Sequence, residues 1–232
     1  MQIESGFQTI KKEIKMELKP KYKIEFNEKN HRYKLEGGFL PSVTGILEFF
    51  PKPALLRWYK SLTPEQIAEQ ETKGKGIGTD VHNAFERVIK GEKVSIETEY
   101  PIEVQTALKS ALEWLKSNKI EVIATELPVG SKEYLYCGKI DCIAKLNNDI
   151  VLFDWKTSKG FFVDMKLQVL AYQQAFKETY GIKVDKCIIV RFDKNTGIPE
   201  PFEIPKEKWE LYFYEFRNIK EVYNFIKEEN KK

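Results

Sequence analysis

GKIDCIAKLNNDIVLFDWK, at residues 138–156, predicts a β-hairpin with charged side chains embedded among apolar ones. Isoleucine, valine, leucine, phenylalanine and tryptophan are frequent in residues 138–146 and 150–157. The polar break Asn147-Asn148-Asp149 between these segments is typical of a turn. The segment therefore predicts two antiparallel strands.

Two aspartates of this hairpin face each other if the turn is a two-residue loop at Asn147 and Asn148. The numbers of cross-strand partners then have a constant sum, so Asp141 lies opposite Asp154. Facing carboxylates repel, and a partly buried pair is tolerated only if one carboxyl is protonated or a cation lies between them. Divalent ions with oxygen ligands suit the second solution. Lys156 points to the same face as Asp154, whereas a three-residue turn would shift the pairing by one residue.

The composition is that of a globular protein, with 232 residues, 42% hydrophobic and 31% charged. We expect a single domain over residues 1–232. No apolar run is long enough to span a bilayer, and residues 1–19 carry charges throughout, so we expect no membrane contact, no secretory signal peptide and a cytoplasmic, intracellular protein. An odd set of cysteines without CxxC spacing argues against a disulfide framework, a structural zinc site and a four-cysteine iron–sulfur cluster: Cys137, Cys142 and Cys187.

The net charge of +3 does not by itself identify a nucleic-acid-binding protein. Lysines cluster in the first 34 residues, at Lys73 and Lys75, and at Lys156 and Lys159, which leaves room for a basic groove beside the proposed site. For most of these lysines, an ordinary solvated surface is the simpler interpretation.

The first half of the chain predicts a hairpin followed by helices. Residues 22–36 alternate apolar and polar side chains, and Ser42 or Thr44 could cap a short helix after them. A helix is expected to begin at Thr63-Pro64. We expect glycines at 74, 76 and 78 to interrupt it before TDVHNAFERVIKG forms a helix ending at Gly91. Another helix is expected over 101–118, with a stripe made of Ile102, Leu108, Ala111, Leu112 and Leu115.

The second half predicts strands and two long helices. The expected strands are near 120–129, 135–146, 150–157 and 186–193. A helix over about 164–180 would make the crossover between the last two strands, and a final helix near 206–229 carries enough aromatic residues for core packing. The sequence thus predicts an α/β protein, with a hairpin and helical part at 1–118 and an α/β core with a C-terminal helix at 119–232.

Five motifs along residues 78–176 form one ordered set: GTDVHNAFE with His82, ATELPV with Glu126, GKIDC with Asp141, FDWKTSK with Asp154 and Lys156, and QVLAYQQAF with Gln168 and Tyr172. In kind and order they resemble the RecB-like exonuclease branch of the PD-(D/E)XK nuclease superfamily. The upstream FLPSVTGIL segment resembles the entry region of phage-type and mitochondrial single-strand exonucleases of this branch. The resemblance implies a restriction-endonuclease-like core, in which helices flank a mixed central sheet.

The resemblance also implies roles for individual residues. Asp141, Asp154, the backbone carbonyl of Trp155 and His82 would bind Mg²⁺ or Mn²⁺, the hard cations that oxygen ligands favour. Lys156 would orient the attacking water or offset charge on the transition state.

Other residues are candidates for substrate contact. Gln168 and Tyr172 are four residues apart, so they share a helix face, and in the family such a pair lies along the active site. Glu126 is either a carboxylate beside the metal or an ordinary strand-end residue. The weaker candidates for phosphate contacts are Ser42, Thr44, Lys73, Lys75, Ser158 and Lys159.

The function that follows is a metal-dependent deoxyribonuclease, with an exonuclease acting on single-stranded DNA, ends or flaps as the leading hypothesis. A structure-specific endonuclease is the nearest alternative, and a catalytically inactive DNA-binding protein on a nuclease fold is another. The expected partners are DNA and, as in the family, recombination or replication proteins.

Overall fold

The computed structural model describes residues 17–230 except 90, 91, 93, 194, 195 and 197, and it describes no side chains at 54, 55 and 69–79. The phosphate-contact candidates Lys73 and Lys75 and the helix end expected at Gly91 therefore lie outside the described part. Most of the charged N-terminal segment also lies outside it.

The described chain has eight strands and seven α-helices, with one short 3₁₀ helix at Lys206–Lys208. The strands are β1 (Ile24–Asn27), β2 (Arg32–Leu35), β3 (Gly38–Leu40), β4 (Glu121–Ser131), β5 (Tyr136–Leu146), β6 (Asp149–Lys156), β7 (Lys186–Phe192) and β8 (Pro199–Glu203). The helices are α1 (Val43–Leu47), α2 (Pro53–Tyr59), α3 (Pro64–Ile89), α4 (Ile96–Glu99), α5 (Ile102–Ser117), α6 (Val163–Tyr180) and α7 (Trp209–Glu229).

The central sheet has the order β4-β5-β6-β7-β8 and is mixed. Only the β6–β7 pair is parallel, and α6 makes the connection between these two strands. Parallel neighbours need such a crossover, whereas the antiparallel pairs β4–β5 and β5–β6 follow each other through short turns. The architecture is the α/β, restriction-endonuclease-like arrangement expected from the sequence.

Each face of the central sheet is covered by helices. On one face, α1, α6 and α7 pack over a cluster that includes Leu152 and Ile189. On the other face, α3 and α5 pack over a cluster that includes Phe153 and Trp155. Successive residues of β6 thus alternate between two apolar layers, which is why this strand reads as a nearly continuous hydrophobic run.

The smaller sheet, β1-β2-β3, extends the hairpin expected at 22–36 by one strand. Its inner face packs Tyr33 and Leu35 against Cys137 of β5. As expected, Ser42 caps α1, with its Oγ accepting a hydrogen bond from the Gly45 N–H at 3.0 Å. This sheet therefore lies beside the N-terminal end of β5.

The expected interruption of α3 was wrong, because the helix runs unbroken from Pro64 to Ile89. Glycine weakens a helix by about 1 kcal/mol relative to alanine but does not force a break. The two ends of α3 are well anchored. Thr63 and Gln66 form a reciprocal capping box at the start, and Val81 and Phe85 are buried in the α5 layer near the end.

Two further expectations need correction. Ile102 was expected on the buried stripe of α5, but it lies in the first turn of the helix and is 66% exposed. The edge strand β8 was not among the strands expected from the sequence, and its Pro199 and Pro201 are unusual in a strand. Among the described residues, no helix combines the length and apolar character needed to cross a membrane.

Candidate metal centre

Asp141 and Asp154 lie next to each other in the register of β5 and β6. The residue numbers of each cross-strand pair add up to the same total, from Leu146 opposite Asp149 to Cys142 opposite Phe153. Asp141 and Asp154 are the next pair in this register. This is the pairing expected for a two-residue turn. The first turn residue, Asn147, has a φ of +58°, a conformation that asparagine adopts more readily than most residues.

The carboxylate of Asp141 reaches across to β6. Its Oδ2 accepts a hydrogen bond from the backbone N–H of Trp155 at 2.8 Å, and its Oδ1 lies 3.6 Å from His82 Nδ1. Asp141 thus contacts both the strand that carries Asp154 and the helix that carries His82.

His82 reaches the sheet because α3 is anchored one turn further along. Phe85, three residues after His82, packs its ring edge-on against the Trp155 ring at 5.1 Å between centroids. The same helix face therefore brings His82 Nε2 to 3.0 Å from the backbone carbonyl oxygen of Trp155. Two of the atoms expected from the sequence to bind a metal are thus neighbours.

Glu126 of β4 adds a third carboxylate to the row. Its neighbours Thr125 and Leu127 pair with the residues on either side of Asp141, which places Glu126 opposite Asp141. One ligand atom each from His82, Glu126 and Asp141 lies within 4.8 Å of the others. Glu126 also has a φ of +49°, and a non-glycine residue in this strained region is common at functional sites. The geometry therefore favours the metal-adjacent interpretation of this residue.

Asp154 is the most buried acid of the site, at 1% exposure. Among the described residues, neither of its carboxylate oxygens accepts a hydrogen bond of ordinary geometry, although Lys156 Nζ lies 2.6 Å from Oδ2. Burial is the largest influence on the pKa of Asp154 and raises it, the charge of Lys156 lowers it, and the charge of Asp141 raises it. Together these influences raise the pKa to about 6. Buried carboxylate oxygens without donors are costly, and a bound cation would satisfy them, so the donor set fits a hard divalent metal.

Lys156 lies at the same end of β6, with its side chain 18% exposed. Burial alone would lower the pKa of its ammonium group, but the charges of Asp154 and Asp141 outweigh burial and raise it. The lysine is therefore held in its charged form beside the two acids.

A second lysine, Lys139 of β5, forms an ion pair with Glu126. Burial raises the pKa of the Glu126 carboxyl, Lys139 lowers it, and Asp141 raises it. The row of three carboxylates thus has a lysine at each end, Lys156 beside Asp154 and Lys139 beside Glu126. Lys139 was not among the residues expected at the site, although its position two residues before Asp141 on a strand indicates a shared face.

Tyr172 and Gln168 of α6 lie on the side of the sheet covered by that helix. Gln168 Nε2 donates a hydrogen bond to the Tyr172 hydroxyl at 3.1 Å. Burial raises the pKa of Tyr172, and the charges of Asp141 and Asp154 raise it further, so the phenol stays protonated near the carboxylates. Its ring lies over Gly138, where an added Cβ would come within 2.4 Å of Cε1. The glycine of GKIDC is therefore needed for the close approach of α6.

The hydroxyl groups among the weaker candidates have local partners. Ser42 caps α1 through the Gly45 N–H, and its Oγ lies 3.2 Å from Thr44 Oγ1. Ser158 Oγ donates a hydrogen bond to the carbonyl oxygen of Gly160 at 2.7 Å. These contacts explain the hydroxyls by local structure, and their contact with substrate stays a prediction.

Comparison with known proteins finds a nuclease family that matches most of the chain. The family model of the PD-(D/E)XK nuclease superfamily matches residues 55–229, which contain every acid and lysine of the site described above. Mitochondrial genome maintenance exonuclease 1 of Homo sapiens is 28% identical over 218 residues, covering 84% of this chain and 63% of that protein. The Mus musculus protein of the same name is 26% identical over 196 residues, covering 77% of this chain and 57% of that protein.

The chain spans only 57% and 63% of the lengths of these two relatives. The Xenopus tropicalis protein of the same name is 28% identical over 188 residues, covering 72% of this chain and 52% of that protein. The family match, by contrast, covers well over half of the present chain and includes α3, the central sheet and α6. The chain therefore belongs to the PD-(D/E)XK nuclease superfamily.

Proposed function

We propose that this chain is a divalent-metal-dependent deoxyribonuclease that removes nucleotides from single-stranded DNA, DNA ends or flaps. The observation that carries the proposal is the buried Asp154 carboxylate, whose oxygens accept no hydrogen bond of ordinary geometry in the described part of the chain. Membership of the nuclease superfamily supports hydrolysis of phosphodiester bonds. The relatives named as exonucleases support action at ends.

The residues that would hold the metal are Asp141, Asp154, His82 and the backbone carbonyl of Trp155, with Glu126 as an auxiliary carboxylate. Oxygen ligands favour Mg²⁺ and Mn²⁺, and one imidazole moves the preference somewhat towards Mn²⁺. A metal there would polarise the scissile phosphate and lower the pKa of the attacking water.

The protein groups around this position have complementary tasks. Lys156 would offset the negative charge that builds up on the phosphate, since its ammonium group stays charged beside Asp154. Tyr172 accepts a hydrogen bond from Gln168, so its own proton is left for a phosphate oxygen. Both groups would act on the substrate phosphate from fixed positions on β6 and α6.

The direct test is cleavage of end-labelled single-stranded DNA by purified protein with Mn²⁺ or Mg²⁺, with and without a chelator. We expect cleavage that the chelator abolishes. Asp154→Ala should abolish cleavage while leaving most DNA binding intact. Absence of cleavage with every divalent metal, together with intact DNA binding, would favour the inactive DNA-binding alternative.

A further inference from the structure

An exposed phenylalanine on the small sheet is flanked by two cations. Phe39 of β3 is 61% exposed. The Arg32 guanidinium lies 5.7 Å and the Lys34 ammonium 4.8 Å from the centre of its ring. Such a surface combines a π face with two positive charges.

The alternation of β2 explains why these residues share one face. Tyr33 and Leu35 point inwards and are buried, so Arg32 and Lys34 point outwards. Phe39 pairs directly with Lys34 across the β2–β3 ladder, which puts its ring on the same outer face.

One acid, Glu25 of β1, lies directly opposite Lys34 in the β1–β2 ladder and offsets part of the positive charge of this face. Glu25 is paired with Lys23, and Glu36 is paired with Lys132. Neither Arg32 nor Lys34 forms an ion pair within the described part of the chain. The face therefore favours an anionic ligand.

The outer face is connected to the proposed metal centre through a short stretch of the chain. Phe39 is three residues before Ser42, whose backbone bridges to Cys137, the neighbour of Gly138 beneath the Tyr172 ring. The steps from Phe39 to Ser42 span at most about 10 Å, the bridge to Cys137 adds about 5 Å, and the four residues from Cys137 to Asp141 on β5 add about 13 Å. Phe39 therefore lies within about 30 Å of Asp141, a distance that a single strand of about nine nucleotides covers at about 3.4 Å each.

We infer that Arg32, Lys34 and Phe39 form a contact surface for the single-stranded part of the DNA substrate, an inference that rests on the proposed function. One unpaired base stacks on the Phe39 ring in place of the two cations, whose long side chains move off the ring to bind the adjacent phosphates. Stacking on an aromatic side chain needs an exposed base face, which duplex DNA does not offer within its stack. The surface therefore makes binding selective for single strands.

Binding of a fluorescent oligothymidylate in the presence of a chelator tests the stacking contact without cleavage. Phe39→Ala should weaken binding by about 5- to 150-fold, the range that corresponds to loss of one base–aromatic stack. Phe225→Ala is the matched control, because Phe225 of α7 is 64% exposed and has no cation over its ring among the described residues. Phe39→Trp should retain binding, Phe39→Leu should not, and affinity for duplex DNA should change little.

The salt dependence of binding tests the cations. Lys34→Gln should reduce the slope of log affinity against log salt by about 0.7, the value for one phosphate contact on a single strand. Lys227→Gln is the control, since the Lys227 ammonium also lies over a tyrosine ring, 5.6 Å from the centre of Tyr223. For Lys227→Gln, the slope of log affinity against log salt should equal that of the parent protein.

The inference would be overturned if Phe39→Ala bound as tightly as Phe225→Ala, or if Phe39→Leu bound as tightly as Phe39→Trp. In that case, metal-dependent cleavage by the parent protein would still support the proposed function. A parent protein that neither binds nor cuts single-stranded DNA would overturn both.

Discussion

Asp154 can be charged only at a cost in folding free energy, because it is buried and its oxygens accept no hydrogen bond of ordinary geometry among the described residues. Lys156 offsets part of this cost through its charge. A charged side chain that destabilises the fold in this way is expected where binding of a ligand, here a cation, offsets the cost in folding free energy. The same reasoning applies to the strained backbone at Glu126.

Asp154→Asn should therefore stabilise the metal-free protein. Replacing the buried carboxylate by a neutral amide removes a desolvation cost on the order of 1–3 kcal/mol at pH 7. Chemical denaturation in a chelator measures the change in the free energy of unfolding. Asp149→Asn, at a half-exposed surface ion pair with Lys186, is the control and should change stability by less than about 1 kcal/mol. A clear loss of stability in Asp154→Asn would contradict this interpretation.

The pH dependence of stability should reverse when a metal is added. Burial raises the pKa of Asp154 to about 6, so between about pH 4 and 6 the folded protein binds more protons than the unfolded chain. Without metal, this group's contribution to stability is lost as pH rises through that window. Metal binding needs the ionised carboxylate, so stabilisation by Mn²⁺ should grow as pH rises through about 6. Thermal melts with and without Mn²⁺ over about pH 4–8 measure both trends. Metal stabilisation that is equal at about pH 5 and 7 would argue against Asp154 as a ligand.

At the scale of elements, alternation and apolar runs were enough to predict β4 to β7 and the crossover helix α6, because these elements are continuous and buried. The local glycine content of α3 gave a wrong prediction because tertiary packing decides the outcome there, and β8 was not predicted. The glycine-rich part of α3 is helical, and β8 forms despite Pro199 and Pro201 because an edge strand tolerates a residue without an N–H.

Gly138→Ala should disturb the packing of α6 against β5. An added Cβ would come within 2.4 Å of the Tyr172 ring, and such overpacking costs about 1–3 kcal/mol. Because Tyr172 moves, we also expect reduced DNA cleavage. Gly160→Ala is the matched control, since its Cβ would meet no described atom within 4 Å. Thermal melts and cleavage rates of the two variants give the comparison, and equal behaviour would show that the close approach of Tyr172 to Gly138 does not matter.

At the scale of the whole molecule, the central sheet brings together residues that are far apart in the chain. His82 on α3 and Asp141 on β5 meet because Phe85 packs on Trp155. The sequence predicted the main acids and Lys156 from a resemblance and a hairpin register. It did not predict the ion pair of Lys139 or the outer face of the small sheet, because those depend on how β4 pairs with β5 and how β3 pairs with β2.

The proposed action at ends predicts how the protein treats strands without ends. Linear single-stranded DNA should be degraded in the presence of Mn²⁺, whereas a circular single strand of the same composition should persist at least tenfold longer. A denaturing gel with both substrates in one reaction makes the comparison internal. Equal loss of circular and linear strands would identify an endonuclease instead.

The location of a bound metal tests the account most directly. Crystals of the protein soaked with Mn²⁺ should give an anomalous scattering peak about 2.0–2.3 Å from carboxylate oxygens of both Asp141 and Asp154, with the Lys156 ammonium beside it. A Mn²⁺ peak elsewhere in the molecule, or Asp154 without a metal at saturating Mn²⁺, would contradict the central claim.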